Sequence, residues 1–214
     1  MPADLTQANP VALSPPTSCP LCQHAKLVLF HQDKQRSYFQ CQQCKLVAVP
    51  QQFHLDRQAE KAFYDLHDNT VADEGYQRFL SRTLTPVLKV IPPDASGLDF
   101  GCGEGAVLSQ MAAKQGVSVA NYDLFYHPDM GQLAQQYDFV TMTEVLEHIA
   151  NAKQIFDQLQ GLVNKGGLLA IMTKRVRDHA SFINWHYKHD PTHINFIVSK
   201  PLSGLQSIIN GNLK

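Results

Sequence analysis

Four of the chain's five cysteines fall in two Cys-x2-Cys pairs, Cys19/Cys22 and Cys41/Cys44, with residues 23–40 between them. That is the spacing of a four-thiolate tetrahedral zinc site: a two-residue gap lets both thiolates of a knuckle face one ion, and an intervening hairpin brings the knuckles together. About thirty residues cannot bury enough side-chain surface to fold alone, so the metal would supply the missing energy. Iron is the alternative ion. A closed four-ligand site has no open position for water and is structural rather than catalytic. The sequence predicts two antiparallel strands, Leu27 to Phe30 and Tyr38 to Gln40, around the polar turn His31-Gln32-Asp33-Lys34-Gln35-Arg36, with Pro50 closing the unit. His24 and His31 lie near and read as surface residues rather than substitute ligands. Five cysteines in 214 residues are too few for a disulfide scaffold, and the odd count leaves Cys102 as a free thiol.

The pairs divide the chain. Residues 1–18, with Pro2, Pro10, Pro15 and Pro16, read as a flexible tail; 19–50 form the cysteine module; 51–93 are helical in pattern, a linker or cap; and 94–214 alternate strand and helix. In the helical part Phe63, Leu66 and His67 fall three and four apart, as do Phe79, Leu80, Leu84, Val87 and Leu88, which predicts two or three helices before Pro92-Pro93. Beyond it, strands are expected at 97–100, 117–122, 137–142 and, after the Gly166-Gly167 turn, 168–173. Helices are expected at 105–115 and 152–163. This is the pattern of an α/β chain with a parallel sheet. Residues 124–136 are too short for a full helix plus strand, so one unit is abbreviated. After Lys174 the best strand signal is Ile194 to Val198, so the sheet is incomplete at that edge or the chain is truncated. Hydrophobic residues at 44% permit a packed core, and a net charge of −1 argues against coating DNA or membrane by charge alone. The N-terminus lacks a signal-peptide pattern and no apolar run reaches 18 residues, so the expected location is cytoplasmic.

The segment Leu98-Asp99-Phe100-Gly101-Cys102-Gly103-Glu104-Gly105-Ala106 stands where a strand should turn into a helix. Its glycines permit a tight turn and let a ligand approach the backbone. A dinucleotide fingerprint is formally met by Gly101, Gly103 and Ala106. Glu104, however, occupies the helix start where a diphosphate would sit, which disfavours a nicotinamide cofactor. Asp99 at the strand end can accept from a cationic or hydroxylated ligand. Asp123, at the end of the next strand, can take both hydroxyls of a ribose.

LDFGCGEG, Asp123, YDFVTMTEVLEHI and LVNKGGLLAIMT, in that order, resemble the class I S-adenosylmethionine-dependent methyltransferases over roughly residues 60–200. The resemblance implies a Rossmann-like methyltransferase sheet with helices on both faces, here without a recognisable last strand. It implies that Asp99, Gly101, Gly103 and Gly105 wrap the amino-acid part of S-adenosylmethionine and that Asp123 holds its ribose. Leu124 would pack on the adenine, with Thr143 and Glu144 lining the other side. The cysteine module resembles the zinc ribbons fused to certain bacterial methyltransferases. The acceptor does not carry over: a small molecule or an RNA fits, and the ribbon is also a candidate protein contact. The competing reading is a non-catalytic partner protein that keeps the fold.

For catalysis, methyl transfer needs an aligned nucleophile and relief of its proton. Glu144-x-x-Glu147-His148 reads as the opening of a helix whose carboxylates and imidazole share a face. It could hold a divalent ion, supply His148 as a base, or only brace the helix. Trp185 to His193 packs three histidines, two aromatics and an aspartate into nine residues and suits a wall or lid of the site. His148, His189 and His193 are the catalytic candidates, with Asp190 placed to orient a ring. Cys102 is expected to fill space. The basic residues Lys165, Lys174, Arg175, Arg177, Lys188 and Lys200 would admit an anionic substrate.

Overall fold

A computed structural model describes residues 14–66 and 69–198. The expected tail before Ser14, His67 in the first helical pattern, and Lys200 lie outside the described residues. Two sheets organise the chain. The first to form along the sequence is the cysteine hairpin, β1 (Leu27–Gln32) and β2 (Ser37–Cys41), followed by the short β3 (Val47–Ala48). The hairpin is longer than its composition suggests, because His31 and Gln32 pair with Tyr38 and Ser37 and leave only 33–36 to turn. Asp33 makes that turn by accepting from the amides of Gln35 and Arg36.

Helices α1 (Arg57–Tyr64) and α2 (Glu74–Leu88) follow, each opened by an aspartate, Asp56 and Asp73, whose carboxylate accepts from first-turn amides. The second sheet is parallel: β4 (Ser96–Phe100), β5 (Ser118–Tyr122), β6 (Tyr137–Thr143) and β7 (Val163–Met172), in the order β5-β4-β6-β7. Alternation along the strands sends side chains to two cores. Val140 and Met142 join α4 (Ala152–Leu162) through Phe156 and Leu159 on one face. Phe139 and Ala170 join α2 and α3 (Val107–Ala113) through Leu84, Val87 and Leu108 on the other. A parallel sheet flanked by helices is therefore what the alternating pattern folds into.

Several local expectations need correction. The abbreviated unit is a 3-10 turn, Met130–Ala134, with neither helix nor strand. Residues 164–167 do not precede β7 but bulge within it, since Tyr137 pairs with Val163 and Phe139 with Leu168. No helix opens at Glu144: that residue has φ +51°, only Leu146–His148 forms a 3-10 turn, and α4 begins after the Asn151 cap. A left-handed residue cannot lie within a right-handed helix, so the face-sharing argument for Glu144, Glu147 and His148 fails.

The strand expected at 194–198 exists as β9 (Asn195–Val198), but it does not extend the parallel sheet. It pairs antiparallel with β3 and parallel with β8 (Arg175–Val176), giving a five-stranded sheet in the order β1-β2-β3-β9-β8. Tyr38, Val47 and Val49 share a core with Phe182, Tyr187, Ile194 and Phe196, α5 (His179–Ile183) supplying the first of these four. The cysteine module and the end of the described chain are thus one layer. Among the described residues no helix is long and apolar enough to cross a membrane.

Candidate active site

Where the chain leaves the parallel sheet on opposite sides of a strand, the carboxyl ends of neighbouring strands open a crevice. Here β5 lies on one side of β4 and β6 on the other, and the crevice is a cleft of about 750 Å³. Gly101, Gly103, Asp123, Leu124, Thr143 and Glu144 line it, as six of the eight proposed cofactor contacts. Gly101 and Gly103 have φ of +77° and +66°. A Cβ on Gly101 would stand 2.4 Å from the Val145 side chain, whereas one on Gly103 would meet nothing within 4 Å. The loop backbone at Gly103 is therefore bare toward open space. The Asp123 carboxylate ties the two strand ends together: Oδ2 accepts from Gly103 N at 3.1 Å, and Oδ1 from Phe125 N and Tyr126 N at 2.8 and 3.1 Å. Leu124 beside it is 50% exposed, an unusual amount of apolar surface at a cleft mouth.

Asp99 and Gly105 do not line the cleft. Asp99 is buried behind the loop, where Thr141 Oγ1 donates to its Oδ1 at 2.7 Å. Burial pushes its carboxyl up to about 6; the Thr141 bond opposes this and the Asp123 charge reinforces it. A raised carboxyl favours the folded state only while protonated. Its contribution is present below the unfolded value of 3.8 and is lost as pH rises through about 6. Asp99→Asn should accordingly flatten the stability profile between these limits and raise stability at pH 7 by about 2–3 kcal/mol. Thermal unfolding of ligand-free protein across pH 4–8 checks this, an unchanged slope being the contrary result. Gly105 serves packing: a Cβ there would lie 2.2 Å from the Asn69 carbonyl oxygen, so its absence lets the segment before α2 settle on the loop.

The opposite wall carries acid and imidazole. Glu147 is wholly buried, and its Oε2 has no hydrogen-bond partner among the described residues. Burial, then the nearby charge of Glu144, pushes its carboxyl up to about 8. The Tyr187 hydroxyl lies within reach of both acids, 3.1 Å from Glu144 Oε2 and closer to Glu147 Oε1. His148 Nδ1 is 3.2 Å from Thr192 O and His193 Nδ1 is 2.7 Å from Tyr187 O, so each ring keeps its proton on Nδ1 and its basic electron pair on Nε2. Burial lowers His193 below its ordinary value, favouring the neutral ring, and the Asp190 charge opposes this. One ligand atom from each of Glu147, His148 and His193 lies within 4.8 Å of the others, a set able to hold a cation. His189 stands apart. The 3-10 turn His186–His189 buries Tyr187 and Lys188 and leaves His189 exposed and outside the cleft.

Sequence reasoning missed Tyr187, which read as one aromatic among several, and Tyr64. The Tyr64 ring meets His148 edge-on at 5.3 Å and Phe125 at 5.7 Å, bringing α1 over the cleft. In the cysteine module, the Cys19–Cys44 and Cys22–Cys41 sulfurs are each 3.5 Å apart, and one sulfur from each of the four lies within 4.8 Å of the rest. Four thiolates about 2.3 Å from one tetrahedral zinc would be about 3.8 Å apart, so the quartet can take the ion with little movement.

Residues 72–205 match a protein family described as a methyltransferase domain. The ubiquinone biosynthesis O-methyltransferases of Salmonella arizonae and Salmonella newport are each 29% identical over 94 residues, covering 33% of this chain and 38% of theirs. The match therefore spans well under half the length of these curated relatives. Among solved structures, an O-methyltransferase family protein from Burkholderia thailandensis is 17% identical with a TM-score of 0.40, covering 67% of this chain and 50% of that one. A methyltransferase of calicheamicin biosynthesis, in its SAH-bound form, is 13% identical with a TM-score of 0.41, covering 65% and 51%.

Proposed function

Because the chain belongs to the methyltransferase-domain family, we propose that it transfers a methyl group from S-adenosylmethionine to a nucleophile of a small molecule. The observation that carries this reading is one cleft with two unlike walls: a bare glycine loop tied to Asp123 on one side, and Glu144, Glu147, His148, Tyr187 and His193 on the other. Its volume, about 750 Å³, suits a cofactor with a small acceptor. The names of the curated relatives favour an oxygen nucleophile over a nitrogen or carbon one, and a small molecule over RNA.

Bound in the cleft, S-adenosylmethionine supplies an electrophilic methyl on a sulfonium. Gly101 and Gly103 would leave room for its amino-acid part, Asp123 would accept from the ribose hydroxyls, Leu124 would cover the adenine, and Thr143 and Glu144 would face it from β6. His193, neutral and fixed by Tyr187 O, would take the acceptor's proton on Nε2, with His148 as the neighbouring base. Alternatively, Glu147, His148 and His193 would share a divalent cation that lowers the acceptor's own pKa. Both roles exclude His189.

The rest of the chain fits this reading. Residues 19–50 would be a zinc ribbon, 51–93 a helical cap and 94–214 the methyltransferase domain, with β8 and β9 joined to the ribbon's sheet. A quartet of unpaired cysteines persists in a reducing compartment, which supports a cytoplasmic location.

Calorimetric titration with S-adenosylmethionine and S-adenosylhomocysteine tests the cofactor assignment. Wild-type protein should bind both in the micromolar range. Asp123→Ala should bind about 100-fold more weakly, the scale of losing hydrogen bonds to a charged acceptor. Absence of binding to the folded wild type would overturn the enzyme reading in favour of a non-catalytic partner.

A further inference from the structure

Charged residues of the β1–β2 turn are buried in an unexpected place. Arg36 is 5% exposed, and its guanidinium spends its donors on backbone carbonyls of the segment that walls the cleft: Asp190 O at 2.8 Å, Pro191 O at 3.3 Å and Lys188 O, closer still. Its Nε donates to Tyr38 OH at 3.0 Å, which donates in turn to Asp33 Oδ2 at 3.0 Å. From the other side Lys188, 2% exposed, donates to the same Asp33 oxygen at 2.7 Å. The two residues that flank these carbonyls in sequence, Tyr187 and His193, are those whose mutual hydrogen bond fixes the imidazole in the cleft.

We propose that the cysteine module is a positioning element of the active site, and that Arg36, with Asp33, holds residues 187–193 so that Tyr187 and His193 keep their place beside Glu147. The inference rests on the cleft being the catalytic site. The clamp is specific in its chemistry. A planar fork with several donors can serve three carbonyls and a phenol at once, whereas a lysine ammonium at the same position cannot reach them together. A buried guanidinium with no salt-bridged carboxylate among the described residues also needs those carbonyls, so the segment and the turn hold each other in register. Arg36 does not line the cleft, and its action is through the segment.

The only tryptophan of the chain, Trp185, reports on this segment directly. It packs on Tyr187 at 4.9 Å and on Phe196 and Phe182 at about 6 Å. Arg36→Met keeps much of the volume and donates nothing; Arg36→Lys keeps the charge. Both should retain the wild-type metal content and the wild-type affinity for S-adenosylhomocysteine. Both should show red-shifted Trp185 emission, acrylamide quenching raised about twofold or more by local opening, and loss of the Nδ1-protonated signal of His193 in nitrogen-15 spectra. Arg36→Met with unchanged emission and an unchanged His193 signal would overturn the proposal, since packing alone would then suffice. Should the Arg36 variants not fold, Asp33→Asn removes the charge that holds Lys188 and Tyr38 while its amide oxygen can still accept from the turn amides, and a smaller shift in the same direction is expected; none would count against the clamp. Failure of wild-type protein to bind S-adenosylhomocysteine would strike the proposed function, not the clamp, because the tryptophan and histidine signals need no ligand.

Discussion

Cys41→Ser is expected to lose the metal and with it the folded state of the whole five-stranded sheet. Cys41 is fully buried at the end of β2, in a core that also holds Cys19, Leu46 and Ala48. Structural zinc in small modules contributes about 10–16 kcal/mol of apparent binding free energy, all of it folding energy because the site does not pre-exist in the unfolded chain. A serine hydroxyl at that position neither ionises to complete the quartet nor finds a partner among sulfurs, so it adds a buried polar group to the loss. Metal analysis should fall from one ion per chain to none. Hydrogen exchange should lose protection not only in β1 to β3 but also in β8 and β9, which have no other sheet to join. A variant that keeps its ion and its protection would show that the quartet is not a metal site.

Gly97→Val should destabilise the parallel sheet by about 3 kcal/mol or more, at the upper end for overpacking a core. Gly97 stands opposite Phe139 in the β4–β6 pairing, and a Cβ there would lie 2.2, 2.5 and 2.7 Å from three atoms of the Phe139 ring. That ring is fully buried in a core shared with Leu84, Val87 and Ala170, so close packing leaves it little room to move aside. Phe139→Leu shortens the offending side chain. Combined with Gly97→Val it should cost less than the sum of the two single changes, the sign of a direct steric coupling. Urea denaturation of the four proteins measures the cycle; strict additivity would show that the glycine is needed for some other reason.

What the residues disclosed in advance depended on how local the cause was. The Cys-x2-Cys spacing, the strand–helix alternation after residue 94 and the glycine loop are short-range patterns, and they led to a cysteine quartet able to hold a metal, the parallel sheet and most of the cleft wall. The failures share a longer range. Arg36 read only as part of a polar turn, and Lys188 as one of several basic residues that would admit an anionic substrate, because each is satisfied by groups about 150 positions away in sequence, which hydrophobic patterning does not register. The partnership of β9 with β3 was equally unreadable, since both are short strands whose register is set only by the pairing itself. Glu144 misled for a local reason: a side chain common in helices was read as opening one, while the backbone there is left-handed. Gly105 was read for the ligand alone, and its need for close approach to the Asn69 carbonyl, 36 positions before it, has no local signal.

The pairing of Val47 and Ala48 with Phe196 and Asn195 also sets an order of events during synthesis. A chain leaving the ribosome can close its cysteine hairpin as soon as Cys44 emerges, but the strand that completes that sheet is made only after the entire parallel sheet. Until then β3 presents an open edge, the kind of surface that recruits other chains. Closing so long a loop is also slow compared with forming the hairpin. The seam between β3 and β9 therefore joins residues near the two ends of the described chain, and the 187–193 segment, the wall that would hold the acceptor, lies directly before the strand that closes it.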